Sequence, residues 1–182
     1  MNLNRLRLKA VWLLVVPFLV FARPTPGLLV VGAAVAAVGL AIRAWAAGTI
    51  HKERELTITG PYAFTRNPLY VGSFFIGLGV TVAGGHWIWP ALFVVFYVGV
   101  YAKTMAVEAA RLTELFGERY RAYARRVPAF LPRITPYRPE DERGRGSGFR
   151  MDQYIRHREW EALAGGLAAF AFLALKAWWI TG

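Results

Sequence analysis

Leu28 to Ala47 is a run of twenty residues built mainly from Val, Ala, Leu and Gly, broken only by Arg43 near its end. As a helix rising ~1.5 Å per residue it spans ~30 Å, the thickness of a bilayer's hydrocarbon core. Lipid cannot hydrogen-bond the backbone, so a single segment of this kind has to be helical. Gly32, Ala36 and Gly39 give it a small-residue face on which a second helix can approach closely.

Four further apolar runs accompany it: Ala10–Ala22, Leu69–Ala83, Ile88–Met105 and Ala162–Ile180. Ala10–Ala22 is short, and Arg5, Arg7 and Lys9 before it extend its reach by snorkelling from about Leu3. It is expected to be an uncleaved first span, since no small-residue cleavage site leads into a soluble domain. Gly84-Gly85-His86 is too short to do more than reverse the chain, so the runs on either side form an antiparallel helical hairpin. The expected fold class is all-α: a polytopic membrane helix bundle of about five transmembrane helices, with a cytosolic amphipathic helix.

The charge pattern orients the bundle. The chain is 56% hydrophobic yet carries 22 Lys+Arg against 11 Asp+Glu, a net charge of +11. Such a balance suits a nucleic-acid binder or a membrane protein with basic inner loops, and the placement decides. With the N-terminus inside, residues 1–9, 43–67 and 103–161 hold 20 of the 22 basic residues, leaving only Arg23 and Lys176 elsewhere. That bias predicts a cytoplasmic N-terminus and a C-terminus on the opposite side. It accounts for the charge without nucleic acid, and membrane lipid headgroups become the expected partner of the basic face. The chain has no cysteine, which excludes disulfides, thiolate metal sites and a cysteine nucleophile.

Beyond Lys103, charged residues from Glu108 to Arg126 interleave with Leu112, Leu115, Phe116, Tyr120 and Tyr123, the pattern of an amphipathic helix continuing the span. Val127-Pro128-Ala129-Phe130-Leu131-Pro132 ends it. Residues 133–148, rich in Pro, Gly and charge, read as a surface linker, and Met151–Glu161 as a short interfacial helix. The expected organisation is 1–47 as N-terminal spans, 48–133 as the core, 134–158 as a basic linker and 159–182 as the last span. Tyr97, Tyr101, Trp178 and Trp179 read as interfacial anchors. His51, His86 and His157 stand alone, and no metal site is expected.

One stretch does not read as span or connector. Thr59 to Gly72 places two prolines, two tyrosines and Arg66 at the mouth of an apolar run, where irregular polar backbone is costly unless it lines a site. Gly60-Pro61-Tyr62 followed by Arg66-Asn67-Pro68-Leu69-Tyr70-Val71-Gly72 resembles the Arg-His-Pro-x-Tyr-x-Gly signature of the isoprenylcysteine carboxyl methyltransferase and phospholipid methyltransferase superfamily. Glu108, Leu112, Phe116-Gly117-Glu118-Arg119-Tyr120, Tyr123 and Val127–Pro132 resemble its second block, with one helical hairpin between the two. The resemblance covers about residues 40–133. Asn67 stands where the family usually has histidine, and Ala109 where it often has a second glutamate.

The resemblance implies an integral membrane enzyme that transfers a methyl group from S-adenosylmethionine to a lipophilic acceptor. It makes Arg66 and Glu108 the central residues. Arg66 suits the cofactor's carboxylate bidentately, and Glu108 its ammonium or ribose. Tyr62, Tyr70 and Tyr120 would stack or hydrogen-bond, while Gly60, Pro61, Asn67, Pro68 and Gly72 would shape the backbone around the cofactor. The expected acceptor is a lipid-like acid of the isoprenylcysteine type. Phosphatidylethanolamine N-methylation, an NADPH-dependent sterol-reductase-like activity and a non-catalytic membrane scaffold are the alternatives. Taken singly, Arg66 would be an interfacial anchor and Glu108 the surface partner of Arg111 one turn on.

Overall fold

The computed structural model describes residues 3–50, 55–138, 149–156 and 159–181. His51 to Arg54, most of the expected linker (139–148) and His157 lie outside them. Among the described residues the regular structure is all helical: α1 (Leu3–Phe21), α2 (Pro26–Thr49), a 3-10 turn (Gly60–Ala63), α3 (Pro68–Ala83), α4 (Ile88–Arg126), α5 (Met151–Arg156) and α6 (Trp160–Thr181).

Three of these, α2, α4 and α6, are long and apolar enough to cross a membrane. The apolar part of α1 (Trp12–Phe21) and the whole of α3 are shorter. The protein is an integral membrane protein, and its lipid-facing character shows in the many exposed large apolar side chains, Leu13, Val30, Val95, Leu175 and Trp179 among them.

Helix α2 is the centre of the bundle. Thr25 caps it, its Oγ1 accepting from the Leu28 N–H at 3.4 Å, and Pro26 opens its first turn. Its small-residue face meets α3 backbone to backbone. A Cβ on Gly32 would lie 2.4 Å from the Gly79 carbonyl oxygen, and one on Gly39 would lie 2.5 Å from that of Gly72. Such approach maximises van der Waals contact, which between helices in lipid replaces the hydrophobic effect as the attraction. At the far end Ala22, Ala83 and Leu173 close a cluster between α1, α3 and α6. There Lys176 Nζ donates to the last carbonyls of α1, Leu19 at 2.6 Å and Val20 at 2.8 Å.

The expected hairpin is present, with Gly77 of α3 set against the ring of Phe93 in α4. Helix α4 continues through the apolar and amphipathic segments in one element of 39 residues, interrupted at Gly117, whose φ of 54° and ψ of −129° are not helical. Only glycine adopts that conformation without strain. Tyr97 departs from its expected role as an interfacial anchor. It is buried, stacks on Tyr101 at 4.1 Å and donates to the Tyr70 carbonyl at 2.6 Å, so its hydroxyl is satisfied within the bundle rather than at the headgroup level. Trp178 and Trp179 are exposed.

The segment after Pro132 remains attached to the core. The Tyr137 N–H donates to the Ala63 carbonyl at 2.9 Å, and its ring packs on Tyr123 at 5.8 Å. Beyond 148 the chain returns to α2, where the Arg150 N–H donates to the Gly48 carbonyl at 2.9 Å.

Candidate functional site

Why the irregular stretch folds as it does follows from its residues. Gly60 sits at φ +59°, and a Cβ there would also press on the Thr49 side chain at 2.9 Å. Pro61 is the second residue of the 3-10 turn, and its carbonyl accepts from the Phe64 N–H at 3.1 Å. Pro68 is the first residue of α3, where a missing N–H costs nothing, and is fully buried.

The two sequence blocks meet without a strand or disulfide. The Arg66 N–H donates to the Pro128 carbonyl at 2.9 Å, and the Arg133 N–H to that of Phe64 at 2.9 Å. Thr65 Oγ1 donates to the Phe130 carbonyl at 3.0 Å. Asn67, at the N-cap of α3, makes no side-chain cap; its Nδ2 donates instead to the Ala129 carbonyl at 2.9 Å. Tyr123 Oη reaches the Tyr62 carbonyl at 2.7 Å. Beneath these bonds Leu56, Ile58, Tyr120, Tyr123 and Val127 form a buried apolar cluster.

Above that cluster lies a cavity of about 350 Å³, within the ~300–1,000 Å³ typical of small-molecule sites. Arg66, Arg111, Glu55 and Glu108 bring two charges of each sign to its wall, and Tyr62, Phe116, Tyr120 and Tyr123 bring aromatic surface. Arg66 Nη1 donates to Tyr120 Oη at 3.2 Å, and Tyr70 Oη donates to Glu108 Oε2 at 3.1 Å. Two polar atoms on this wall are buried with no hydrogen-bond partner among the described residues: Arg66 Nε and Tyr62 Oη. A buried polar group in that state costs roughly 1–3 kcal/mol. Burial, reinforced by Tyr123 and Glu108, pushes the Tyr62 phenol well above its ordinary range and keeps its proton available for donation.

Of the residues expected to bind a cofactor, Tyr62, Arg66, Glu108 and Tyr120 line this cavity. Tyr70 stands behind Glu108 and orients it. Gly60, Pro61, Asn67 and Pro68 shape and tether the loop. Gly72 faces α2: a Cβ there would lie 2.5 Å from Arg43 Cγ and 2.7 Å from the Gly39 carbonyl oxygen. Glu55 and Arg111 also line the wall, a role the sequence reading did not give them. The i, i+3 step from Glu108 to Arg111 was the available signal for the second; nothing in the polar segment around Glu55 singled it out.

An open groove runs along one face of α4, lined by Gly99, Val100, Lys103, Thr104 and Val107. Glu108 and Arg111 line both the cavity and this groove.

The sequence model of the phospholipid methyltransferase family matches residues 27–119. Curated relatives include the protein-S-isoprenylcysteine O-methyltransferase of Schizosaccharomyces pombe, 32% identical over 84 residues, which are 46% of this chain and 36% of that protein. The nickel-cobalt-cadmium resistance protein NccN of Alcaligenes xylosoxydans xylosoxydans is 36% identical over 118 residues, covering 60% of this chain and 50% of that one. The cobalt-zinc-cadmium resistance protein CzcN of Cupriavidus metallidurans is 34% identical over 111 residues, with the same two coverages. The chain thus spans half or less of the length of these relatives. No solved structure matches it.

Proposed function

The chain belongs to the phospholipid methyltransferase family, and on that premise we propose that it is an integral membrane enzyme methylating a lipophilic acid with S-adenosylmethionine. The observation that carries this reading is the cavity wall on which Arg66 and Arg111 are set with Glu55 and Glu108 beside the rings of Tyr62, Phe116, Tyr120 and Tyr123. A ligand with a carboxylate, an ammonium and an aromatic base matches that wall group for group.

S-adenosylmethionine supplies an already activated sulfonium methyl. Arg66, with Nη1 fixed by Tyr120, is the guanidinium suited to grip a carboxylate. Glu108, held by Tyr70, and Glu55 are suited to an ammonium or to ribose hydroxyls. Phe116, Tyr120 and Tyr123 offer faces for an adenine. Methyl transfer to a carboxylate joins opposite charges into neutral products and requires no base. What it requires is alignment and exclusion of water, which Leu56, Leu112 and Leu115 on the wall serve.

We assign the acceptor to the α4 groove because Gly99, Val100 and Val107 offer it apolar surface and the groove ends at Glu108 and Arg111, the wall shared with the first site. Lys103 and Arg111 favour an anionic head there. The distribution of basic residues supports a cytoplasmic opening for the cofactor cavity, with residues 48–133 as the catalytic core.

Calorimetric titration of the purified protein in detergent with S-adenosylhomocysteine tests this. Saturable binding, lost in Arg66→Ala and Glu108→Ala, is expected. NADPH binding in its place would falsify the reading, and binding of neither ligand favours a scaffold. Incubating lipid extracts with labelled S-adenosylmethionine then identifies the acceptor.

A further inference from the structure

Arg43, the one charge in the α2 run, is enclosed on three sides. Its Nε donates to Glu159 Oε2 at 2.8 Å and its Nη2 to Glu159 Oε1 at 2.9 Å, a bidentate pair in which the Glu159 side chain is 7% exposed. Nη1 donates to the Leu69 carbonyl at 3.3 Å and to Ser73 Oγ, and Ser73 Oγ in turn donates to the same carbonyl at 2.9 Å. The stem of Arg43 lies against the Cα of Gly72, where any side chain would collide with it.

Leu69, Gly72 and Ser73 form the first turns of α3, directly after Arg66 and Asn67. The irregular stretch therefore has two working sides. Tyr70 faces Glu108, whereas Leu69, Gly72 and Ser73 make a slot for a guanidinium from α2. The counter-ion comes from Glu159, immediately before α6 and forty residues beyond the matched family region.

The geometry points to Arg43 and Glu159 as a positioning pair for the site. Arg43 fixes the first turn of α3 on α2, setting where Arg66 and Tyr70 stand, and Glu159 holds Arg43 in that pose by tying it to the last helix. The Arg43 side chain is 22% exposed, so loss of its carboxylate leaves a largely desolvated guanidinium unpaired and destabilises the fold, whereas replacing both members by apolar residues is often neutral. Stability and positioning can thus be separated. The inference rests on the proposed methyltransferase reading only for the identity of the ligand being positioned.

The test compares wild type, Glu159→Ala, Ser73→Ala and the double variant Arg43→Met/Glu159→Leu in detergent. Three quantities are read: thermal midpoint, amide hydrogen exchange over residues 64–73, and S-adenosylhomocysteine affinity. Glu159→Ala is expected to lower the midpoint, speed exchange and weaken binding at least tenfold. The double variant is expected to recover the midpoint while exchange stays fast and binding stays at least tenfold weak. Recovery of all three would make the pair merely structural and overturn the inference. Should the double variant not fold, Ser73→Ala decides, with exchange faster and binding at least threefold weaker supporting the inference and wild-type values overturning it. If wild type binds no S-adenosylhomocysteine, the functional reading fails, and exchange over 64–73 alone decides the positioning role by the same criteria.

Discussion

Asn67 Nδ2 donates to the Ala129 carbonyl oxygen at 2.9 Å, across sixty-two positions of sequence. The residue occupying the family's usual histidine position is therefore used here as a tether between the two halves of the site. An imidazole N–H can make the same donation, so Asn67→His is expected to leave the thermal midpoint and ligand affinity nearly unchanged. Asn67→Asp sets a carboxylate against a carbonyl and is expected to cost about 1–3 kcal/mol of stability. Thermal denaturation in one detergent distinguishes them, and equal losses in both variants would remove the tether's role.

Tyr62→Phe gives opposite effects on stability and binding. The phenol oxygen has no partner among the described residues, so removing it is expected to leave the ligand-free protein as stable or more so. The same change should weaken S-adenosylhomocysteine binding by roughly tenfold, the loss of one hydrogen bond of about 1.4 kcal/mol. Unchanged affinity would place the hydroxyl outside the binding contacts.

Tyr62 also sets a pH dependence. Its phenol is raised above the ordinary value of 10.0 by burial. The unfolded chain gives up that proton first as pH rises, so the contribution of neutral Tyr62 is complete below pH 10 and declines above it. Chemical denaturation from pH 8 to 11 should show a shallower alkaline decline for Tyr62→Phe than for wild type.

Glycine substitutions should fall into two groups. Gly72→Ala drives a methyl into Arg43 and the Gly39 carbonyl and is expected to cost about 1–3 kcal/mol. Gly99→Ala meets nothing within 4 Å and should be neutral or mildly stabilising, by up to about 1 kcal/mol from helix propensity. Thermal midpoints of the two variants settle this.

Gly117→Ala has room for its methyl but not for its backbone. At φ 54° and ψ −129° a Cβ is strained by about 1–3 kcal/mol, and relief would straighten α4. Increased exchange at Tyr120 and Tyr123, the residues that reach Arg66 and Tyr62 beyond this break, is the expected sign.

The helical class, the α2 small-residue face and the pairing of two distant blocks were all legible, because each leaves a local pattern of apolar runs, glycine spacing or paired motifs. The roles within the motif were less so. Gly72 and Asn67 carry the same letters whether they face a ligand or a neighbouring helix, and only the close approach of α2 and of Ala129 tells them apart. Arg43 read as a mere interruption of a span because its partner Glu159 lies 116 residues away. Glu55 was hidden in a polar segment with no periodicity to set one carboxylate above another.

The backbone contact between α2 and α3 also bears on how the protein enters its bilayer. Sixteen residues of helix reach ~24 Å, short of the ~30 Å that a lone segment must cover. Helix α3 is thus a poor candidate for independent insertion. Gly32 and Gly39 offer it a berth on a helix long enough to span by itself, so the contact that shapes the site also supplies the reach that α3 lacks.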